Sequence, residues 1–286
     1  MMRFLLPVGC VLAAGCSAEH PAPAQQADPG PVAPRGNLLI EEVYYSGAPP
    51  AAGRDHYFSD QFIRLRNVSE APVAAGGLLI GDAYGLAGAI NRGDTPDGYV
   101  DDPEAVVLAN LWRVPGDPGE VVVSPGACLL IAQDAGQHRP YSAVDLWDAD
   151  FETFVDDTDD RDDAVVPNLE PLLFTGGFDW LVTVFGPTIV VLDAVPADEL
   201  VFARRRVSAP ASAVVDTMEA LMDADSGAFK RLHPAIDWGF THVSGTYTGE
   251  AVRRVRTTAG ELQETDDSSA DFERVFDPRP DCPALR

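Results

Sequence analysis

Residues 61–66 read Gln-Phe-Ile-Arg-Leu-Arg, and within them the apolar Ile63 and Leu65 alternate with the charged Arg64 and Arg66. Alternation with a period of two residues is typical of a β-strand that buries one face and exposes the other. We therefore predict a half-buried strand here, and the same type of element recurs along the chain.

Short apolar runs bounded by glycine and proline lie on both sides of this strand. They include residues 38–45, 78–80, 105–108, 120–124, 128–132, 188–194 and 251–256. Turn residues such as Gly76-Gly77 and Pro125-Gly126 separate them. Only residues 211–222 space their apolar side chains as a helix does. This pattern predicts an all-β sandwich or barrel with one short helix and with long loops at 82–103 and 137–171.

Residues 1–15 are predicted to be a lipoprotein signal peptide. The apolar run 4–12 is shorter than the roughly 20 residues needed to span a bilayer. The sequence Leu-Ala-Ala-Gly-Cys at 12–16 resembles the bacterial lipobox, which makes Cys16 the predicted lipidation site. Ser17, rather than Asp, follows the cysteine, which favours the outer membrane by analogy with diderm bacteria. The alternative is an ordinary secretory signal that releases a soluble protein.

The residues after the lipobox predict a tether, a folded domain and a short tail. Residues 16–36 are rich in proline and alanine and show no apolar period, so they are expected to stay extended. The domain is expected to span 37–276, with a C-terminal tail at 277–286. This domain would face either the periplasm or the cell exterior.

Cysteine usage is the next constraint, because an exported protein can keep disulfides. The chain has four cysteines. Cys10 would leave with the signal peptide and Cys16 would carry the lipid. Cys128 and Cys282 remain, and we predict that they form a disulfide that ties the tail to the domain. Two separate thiols are the alternative.

The charge balance restricts the partners. The chain has 20 basic and 45 acidic residues, a net charge of −25. Phosphate backbones attract the opposite balance, so nucleic acid is not an expected partner. Cations are more plausible partners, and high solubility is the simpler interpretation.

Catalytic signatures are missing from the sequence, and we predict that the chain is not an enzyme. It contains no G-x-S-x-G, no H-E-x-x-H and no C-x-x-C. His56, His138, His233 and His242 are scattered without a local signature. Carboxylates are too numerous for any pair to indicate a glycosidase.

Calcium is the one cofactor that the sequence suggests. It takes roughly six to eight oxygen ligands, often from flexible acidic loops. The first candidate set is Asp148, Asp150, Asp156, Asp157, Asp159 and Asp160. The second is the segment 223–227, Asp-Ala-Asp-Ser-Gly. A solvated acidic loop without metal is the alternative at both places.

Aromatic residues cluster around the first loop, beside Arg54 and Asp60: Tyr44, Tyr45, His56, Tyr57 and Phe58. We predict a ligand-binding role for Tyr44, Tyr45 and Asp60, with one exposed tyrosine that stacks on a sugar or a peptide. Strand alternation sends Tyr44 and Tyr45 to opposite faces, so the other tyrosine is expected in the core. The basic clusters 204–206 and 253–254 are expected to pair with acidic loops, the alternative being anionic lipid headgroups.

Several stretches resemble a known type of domain. Residues 40–47 and 60–69 are similar to the opening strands of the lamin-tail-like, immunoglobulin-type β-sandwich. Residues 125–132, 231–241 and 251–272 resemble, more closely, a group of bacterial surface lipoproteins that carry a domain of unknown function. Arg64 and Arg66 depart from that group, which usually has Glu and Tyr there.

The resemblance implies an immunoglobulin-like (lamin-tail-like) sandwich and no reaction. We therefore expect a membrane-anchored, non-enzymatic surface lipoprotein that acts as a binding or interaction module. It would be accessory to an outer-membrane transport or adhesion complex, with an outer-membrane protein or a glycan as partner. A calcium-stabilised glycan-binding module and a hydrolase of surface polymers are the alternatives.

Overall fold

The computed structural model describes residues 35–51, 53–88, 102–156, 158–177, 180 and 182–281. The described residues all belong to one compact unit, Pro31–Arg286. The predicted signal peptide, most of the predicted tether, Cys16, Asp157 and Cys282 lie outside them. So does most of the predicted loop 82–103.

Strands form almost all of the regular structure in the described residues. They are β1 (Leu38–Tyr44), β2 (Phe62–Asn67), β3 (Val73–Ala74), β4 (Leu79–Ala83), β5 (Ala105–Arg113), β6 (Val122–Val123), β7 (Cys128–Ala132), β8 (Phe151–Glu152), β9 (Glu170–Leu173), β10 (Thr188–Leu192), β11 (Val201–Ala203), β12 (Arg206–Pro210), β13 (Val214–Glu219), β14 (Ala251–Arg254) and β15 (Phe272–Val275). One short helix, α1 (Ser268–Asp271), and 3-10 turns at Arg35–Asn37, Ala211–Ala213 and Ser226–Phe229 complete them.

Two large sheets organise these strands. The first has the order β15-β14-β1-β2-β7-β8, and the second has the order β11-β12-β5-β4-β10-β13 with β9 beside β5. Apart from the parallel pair β7–β8, neighbouring strands within them run antiparallel. The all-β prediction is confirmed.

The main core lies between the two sheets. It includes Ile40, Val43, Ile63 and Leu65 from the first sheet and Ile80, Trp112, Ile189 and Met218 from the second. Smaller apolar clusters cover the outer face of each sheet, with Tyr44 and Phe62 on the first and Val190 and Leu232 on the second. Because both faces are covered, β1 is buried along its whole length.

A β-bulge keeps β1 in phase with this core. Ile40 lies opposite Leu65 and Glu42 lies opposite Arg64, so Glu41 is the extra residue. An extra residue shifts the alternation by one. Both Ile40 and Val43 therefore face the main core although they are three residues apart.

The predicted helix at 211–222 is wrong. After the 3-10 turn Ala211–Ala213, the chain continues as β13, which pairs antiparallel with β10. The register shifts between Val191 and Leu192, which leaves Val215 as an extra residue on β13. Val215 and Met218 both pack on the main core. A bulge thus produced the three-residue spacing that imitates a helix.

Candidate functional site

A pocket lined by aromatic, basic and acidic side chains lies where the loop before β2 meets the loop after β7. Phe62 lies opposite Ala132 in the sheet, so the residues before the one and after the other are neighbours. The pocket encloses about 330 Å³. That volume is at the lower end of the range for small-molecule sites, roughly 300–1,000 Å³.

One side of the pocket is a hairpin tip. Ala48 bridges Tyr57, and Ala51 bridges Arg54 through hydrogen bonds of 3.0 and 2.9 Å. Gly53 supplies the positive φ, 80°, that this tight turn requires. The hairpin thereby holds Arg54 and Tyr57 over the loop that follows β7.

Two tyrosines form an aromatic wall. The ring centroids of Tyr57 and Tyr141 are 5.3 Å apart, and both side chains are half-buried. The Arg54 guanidinium carbon lies 4.3 Å from the Tyr141 centroid and 5.6 Å from that of Tyr57. A cation over an aromatic face is a favourable contact, which helps to hold Arg54 in place.

His138 is buried at the pocket floor. Its Nε2 lies 3.1 Å from the backbone oxygen of Asp134, and its Nδ1 lies 2.7 Å from the Tyr57 hydroxyl. A carbonyl oxygen only accepts, so Nε2 carries the proton and Nδ1 accepts from Tyr57. Burial lowers the pKa of His138 to about 4 and raises that of Tyr57 to about 12. Both groups are neutral at pH 7, and both imidazole nitrogens are already bonded.

We expect that replacing His138 with glutamine makes stability less sensitive to acid. The pKa is about 4 in the folded protein and about 6.5 in the unfolded chain, so between these values only the unfolded chain binds the proton. Wild-type stability is therefore lost as pH falls through this window. Urea unfolding at about pH 7 and about pH 4.5 should show an extra loss of about 2 kcal/mol in the wild type. Equal losses in both proteins would show that His138 is not held neutral.

Two carboxyl groups face each other across the pocket. Asp134 and Asp160 both line the pocket, and they lie close enough for the charge of Asp134 to act on Asp160. Burial, reinforced by the Asp134 charge, raises the pKa of Asp160 to about 6, and burial also raises the pKa of Asp134. Two carboxyls this close share a proton in mildly acidic solution.

Backbone amides bind both carboxylate oxygens of Asp160. Asp160 accepts from the N–H of Val155 at 2.8 Å and from that of Arg161 at 2.7 Å. The Asp134 carboxyl is bonded to Ser59. The acceptors on this side are thus largely satisfied from within the protein.

Buried Glu152 on β8 holds the acidic loop in place. It accepts from the N–H of Ala135 at 2.7 Å and from the N–H of Asp163 at 2.6 Å. Burial raises its pKa to about 7. The loop that carries Asp160 is therefore fastened to the loop that carries Asp134.

The arginines of the pocket differ from most others in the chain. Among the residues that the structure describes, Arg54, Arg139 and Arg161 line the pocket and form no salt bridge. The basic side chains that do form one are Arg64, Arg66, Arg113, Lys230, Arg231, Arg253, Arg254, Arg256, Arg274 and Arg279. In a chain of net charge −25, three unpaired guanidinium groups at one pocket are an unusual concentration.

Comparison with known proteins places the chain in a family. The profile described as "Protein of unknown function (DUF4876)" matches residues 124–279. The chain belongs to the DUF4876 family. A solved structure of a DUF4876 family protein from Bacteroides thetaiotaomicron VPI-5482 has a TM-score of 0.71 and 23% identity, covering 83% of this chain and 70% of that chain. At that identity the likeness concerns the fold. No curated protein matches.

The DUF4876 match covers only part of the pocket. It includes Asp134, His138, Tyr141 and Asp160, but it begins at residue 124, after the hairpin that carries Arg54. The family segment thus supplies the floor and the acidic side of the pocket, and the residues before it supply the hairpin.

The expected exposed tyrosine is wrong, because Tyr44 and Tyr45 are both 1% exposed. They do point to opposite faces, as predicted: Tyr44 packs in the outer cluster and Tyr45 in the main core. Tyr44 donates to buried Asp60 at 2.9 Å, and burial raises the pKa of Asp60 to about 6. The half-buried tyrosines that line the pocket are Tyr57 and Tyr141 instead. The cluster around residue 57 was visible in the sequence, whereas Tyr141 gave no signal.

The predicted calcium ligands are not gathered at one point. Asp150 accepts from the N–H of Leu130 at 2.8 Å, and Asp160 accepts the two backbone N–H groups given above. Asp148, Asp156 and Asp159 are exposed. Asp157 lies outside the described residues. Within 223–227, Asp223 accepts from the N–H of Asp225 at 3.0 Å and from Ser226 at 2.8 Å. Across the described residues no group of three or more His, Cys, Asp or Glu side chains could hold a metal. Calcium binding stays a prediction.

Basic clusters separate into two kinds. Arg253 and Arg254 have acidic partners, Glu42 and Asp216. Among described residues, the arginines at 204–206 have no salt-bridge partner. Residues 253–254 thus have acidic partners, of which Glu42 and Asp216 lie on strands and Glu264 lies in a loop. The expected pairing is not found for residues 204–206 within the described part of the chain.

The structure describes only one of the two cysteines of the predicted Cys128–Cys282 disulfide. Cys128 is buried and disulfide-bonded, and Cys282 lies outside the described residues. The tail before Cys282 contacts the first sheet, since Arg64 donates to the backbone oxygens of Arg279 and Asp281. Within the described part of the chain no helix is long and apolar enough to cross a membrane.

Proposed function

We propose that this DUF4876 protein is a lipid-anchored, non-enzymatic binding module whose pocket holds a saccharide. The observation that carries the proposal is the half-buried pair Tyr57 and Tyr141 beside polar groups in one concave site. Aromatic faces with a few fixed polar groups are the usual means of recognising a polar ligand that has apolar C–H faces.

The state of the polar side chains favours binding over catalysis. His138 uses both of its nitrogens in fixed hydrogen bonds and is neutral. A general base needs a free nitrogen within reach of the substrate. His138 instead orients Tyr57, which is a positioning role.

The cellular setting of the proposal comes from the sequence. The lipobox at 12–16 and the Ser at position 17 support an outer-membrane anchor. The module would be accessory to a transport or adhesion complex of that membrane, facing the periplasm or the exterior. The two-sheet sandwich is compatible with the lamin-tail-like, immunoglobulin-type fold that we propose for it.

The anchor is tested by fractionation of cells that express the wild type or Cys16→Ser. We expect the wild type in the membrane fraction with a lipid-modified N-terminal cysteine in its mass spectrum. The variant should lack this modification and retain its uncleaved signal. An unmodified, soluble wild-type protein would contradict the anchor while leaving the pocket untouched.

The pocket is tested on a saccharide array with the mature chain. Tyr141→Ala should lose about tenfold or more in retention, since stacked aromatic contacts contribute about 0.5–1.5 kcal/mol beyond the area they bury. Tyr141→Phe keeps the ring and should bind like the wild type. Trp238 is 68% exposed and outside the pocket, so Trp238→Ala is the matched control. Retention that survives Tyr141→Ala would exclude this pocket as the saccharide site.

A hydrolase of surface polymers is the second candidate, and the Asp134–Asp160 pair favours it. Paired acids that share a proton can act as a general acid and a general base. We rank this candidate second because backbone amides already hold both oxygens of Asp160.

A further inference from the structure

We infer that the ligand of this pocket is an anionic saccharide whose carboxylate is bound by Arg54 and Arg161, with Arg139 at the rim. The inference rests on the proposed function and adds the chemical class of the ligand. It depends on which hydrogen-bonding groups of the pocket are already used.

The half-buried acceptors of the pocket are used within the protein. Asp160 accepts two backbone N–H groups, one on each carboxylate oxygen. The Tyr57 hydroxyl donates to His138. Of the three acidic residues that line the pocket only Asp159 is exposed, so a ligand rich in donors would find few acceptors there.

The guanidinium donors of the pocket have no acidic partner within the described residues. The side chains of Arg54, Arg139 and Arg161 are exposed and form neither salt bridges nor hydrogen bonds with described residues. A guanidinium group binds a carboxylate through two parallel hydrogen bonds. The ligand group that best complements these donors is thus an anion with several acceptor oxygens.

The aromatic wall distinguishes a saccharide from a simple anion. Arg54 lies over Tyr141 at 4.3 Å, so an anion that binds Arg54 is brought next to the pair Tyr57 and Tyr141. Free phosphate has no apolar face to place there, and acetate has only a methyl group. A sugar ring with a carboxylate substituent supplies both contacts.

The negative net charge of the chain does not prevent an anion from binding in this pocket. Anions are repelled by most of a surface whose net charge is −25, but screening limits that repulsion to about 8 Å at physiological salt. Near the pocket, Arg54, Arg139 and Arg161 balance the carboxylates of Asp134, Asp159 and Asp160. The local charge is therefore far less negative than that of the whole chain.

The test is calorimetric titration of the mature chain with two acids, tri-galacturonate and sialyllactose, each beside its methyl ester. The ester keeps the ring and removes the charge. We expect each ester to bind about tenfold or more weakly than its acid, the loss of one charge-assisted contact. The double variant Arg54→Gln, Arg161→Gln should lower acid affinity by a similar factor or more. Arg204→Gln removes an exposed, unpaired arginine outside the pocket and should change nothing.

The outcomes separate this inference from the proposed function. Esters that bind as tightly as the acids, with no loss in the arginine variant, would overturn the anionic class and leave a saccharide module. Acetate or inorganic phosphate binding as tightly as the acids would overturn the saccharide assignment and leave a simple anion site. No binding of any saccharide, charged or esterified, would overturn both.

Discussion

Arg254→Ala is expected to lower the free energy of unfolding by about 3–5 kcal/mol, the usual result of removing one partner of a buried ion pair. The Arg254 side chain is fully buried and binds both oxygens of Asp216, at 2.8 and 2.6 Å. It also donates to the backbone oxygens of Ile40 at 2.7 Å and Gln263 at 2.9 Å, and it lies over the ring of Phe272.

The loss should come mainly from the acid left behind. Burial raises the pKa of Asp216, and the charge of Arg254 opposes that rise. Without the arginine, Asp216 stays buried and either remains unpaired or takes up a proton. Urea unfolding of Arg254→Ala, Asp216→Asn and the double variant measures this coupling. The double variant should lose less than the sum of the single variants.

A surface pair provides the control for this prediction. Arg113 and Glu170 form a salt bridge with side chains 48% and 42% exposed. Arg113→Ala should therefore change stability by less than about 1 kcal/mol. Additive single losses at Arg254 and Asp216, or a loss at Arg254 no larger than at Arg113, would contradict the buried network.

Cys282→Ser is expected to lower stability by about 2–4 kcal/mol if Cys282 is the partner of Cys128. The bond would close a long loop, which restricts the unfolded chain. It would also fix a tail that Glu42 and Arg64 hold by hydrogen bonds to Arg279.

The disulfide has a specific signature in a variant series. Cys282→Ser and reduction of the wild type should lower stability by the same amount, and the double variant should lose no more than Cys128→Ser alone, which also buries a hydroxyl. Thiol titration of the unfolded, unreduced mature chain should find neither residue free. Two titratable thiols at these positions, or additive losses, would show that they are not paired.

The first sheet was predictable because its signals are local. Short apolar runs bounded by turn residues located β2 and β7. The half-buried character expected of β2 is wrong, because Arg64 is buried as well and is paired with Glu41 and Glu42. Bulges are what local spacing does not reveal. The extra residue at Val215 changes a two-residue period into a three-residue step, and only pairing with β10 shows that β13 is a strand.

The C-terminal segment that resembles a family pattern has a structural role in this protein. Asp237 accepts from the N–H of Ser268 at 2.9 Å, and Asp271 accepts from the N–H of Thr265 at 2.8 Å. Asp267 caps α1 by accepting from Ser269. This acidic, serine-rich segment resembled a family pattern in the sequence, and it fastens α1 and the preceding loop to the sandwich.

The pocket was only half predictable, for a non-local reason. Arg54 and Asp160 belong to stretches that the sequence marked as an aromatic loop and an acidic run. Their meeting depends on Phe62 lying opposite Ala132, a register set by the folded sheet. The sequence predicted one exposed tyrosine of the pair Tyr44 and Tyr45, but distant residues such as Leu146 cover Tyr44 in the outer cluster.

Binding without turnover is the central claim, and the fate of a bound acidic oligosaccharide tests it most directly. The mature chain would be incubated with tri-galacturonate, and both bound and total sugar would be analysed by mass spectrometry. We predict saturable binding that weakens in Arg54→Gln, Arg161→Gln, with the oligosaccharide recovered intact. Cleavage that disappears in Asp134→Asn and Asp160→Asn would contradict the claim and assign the carboxyl pair to catalysis.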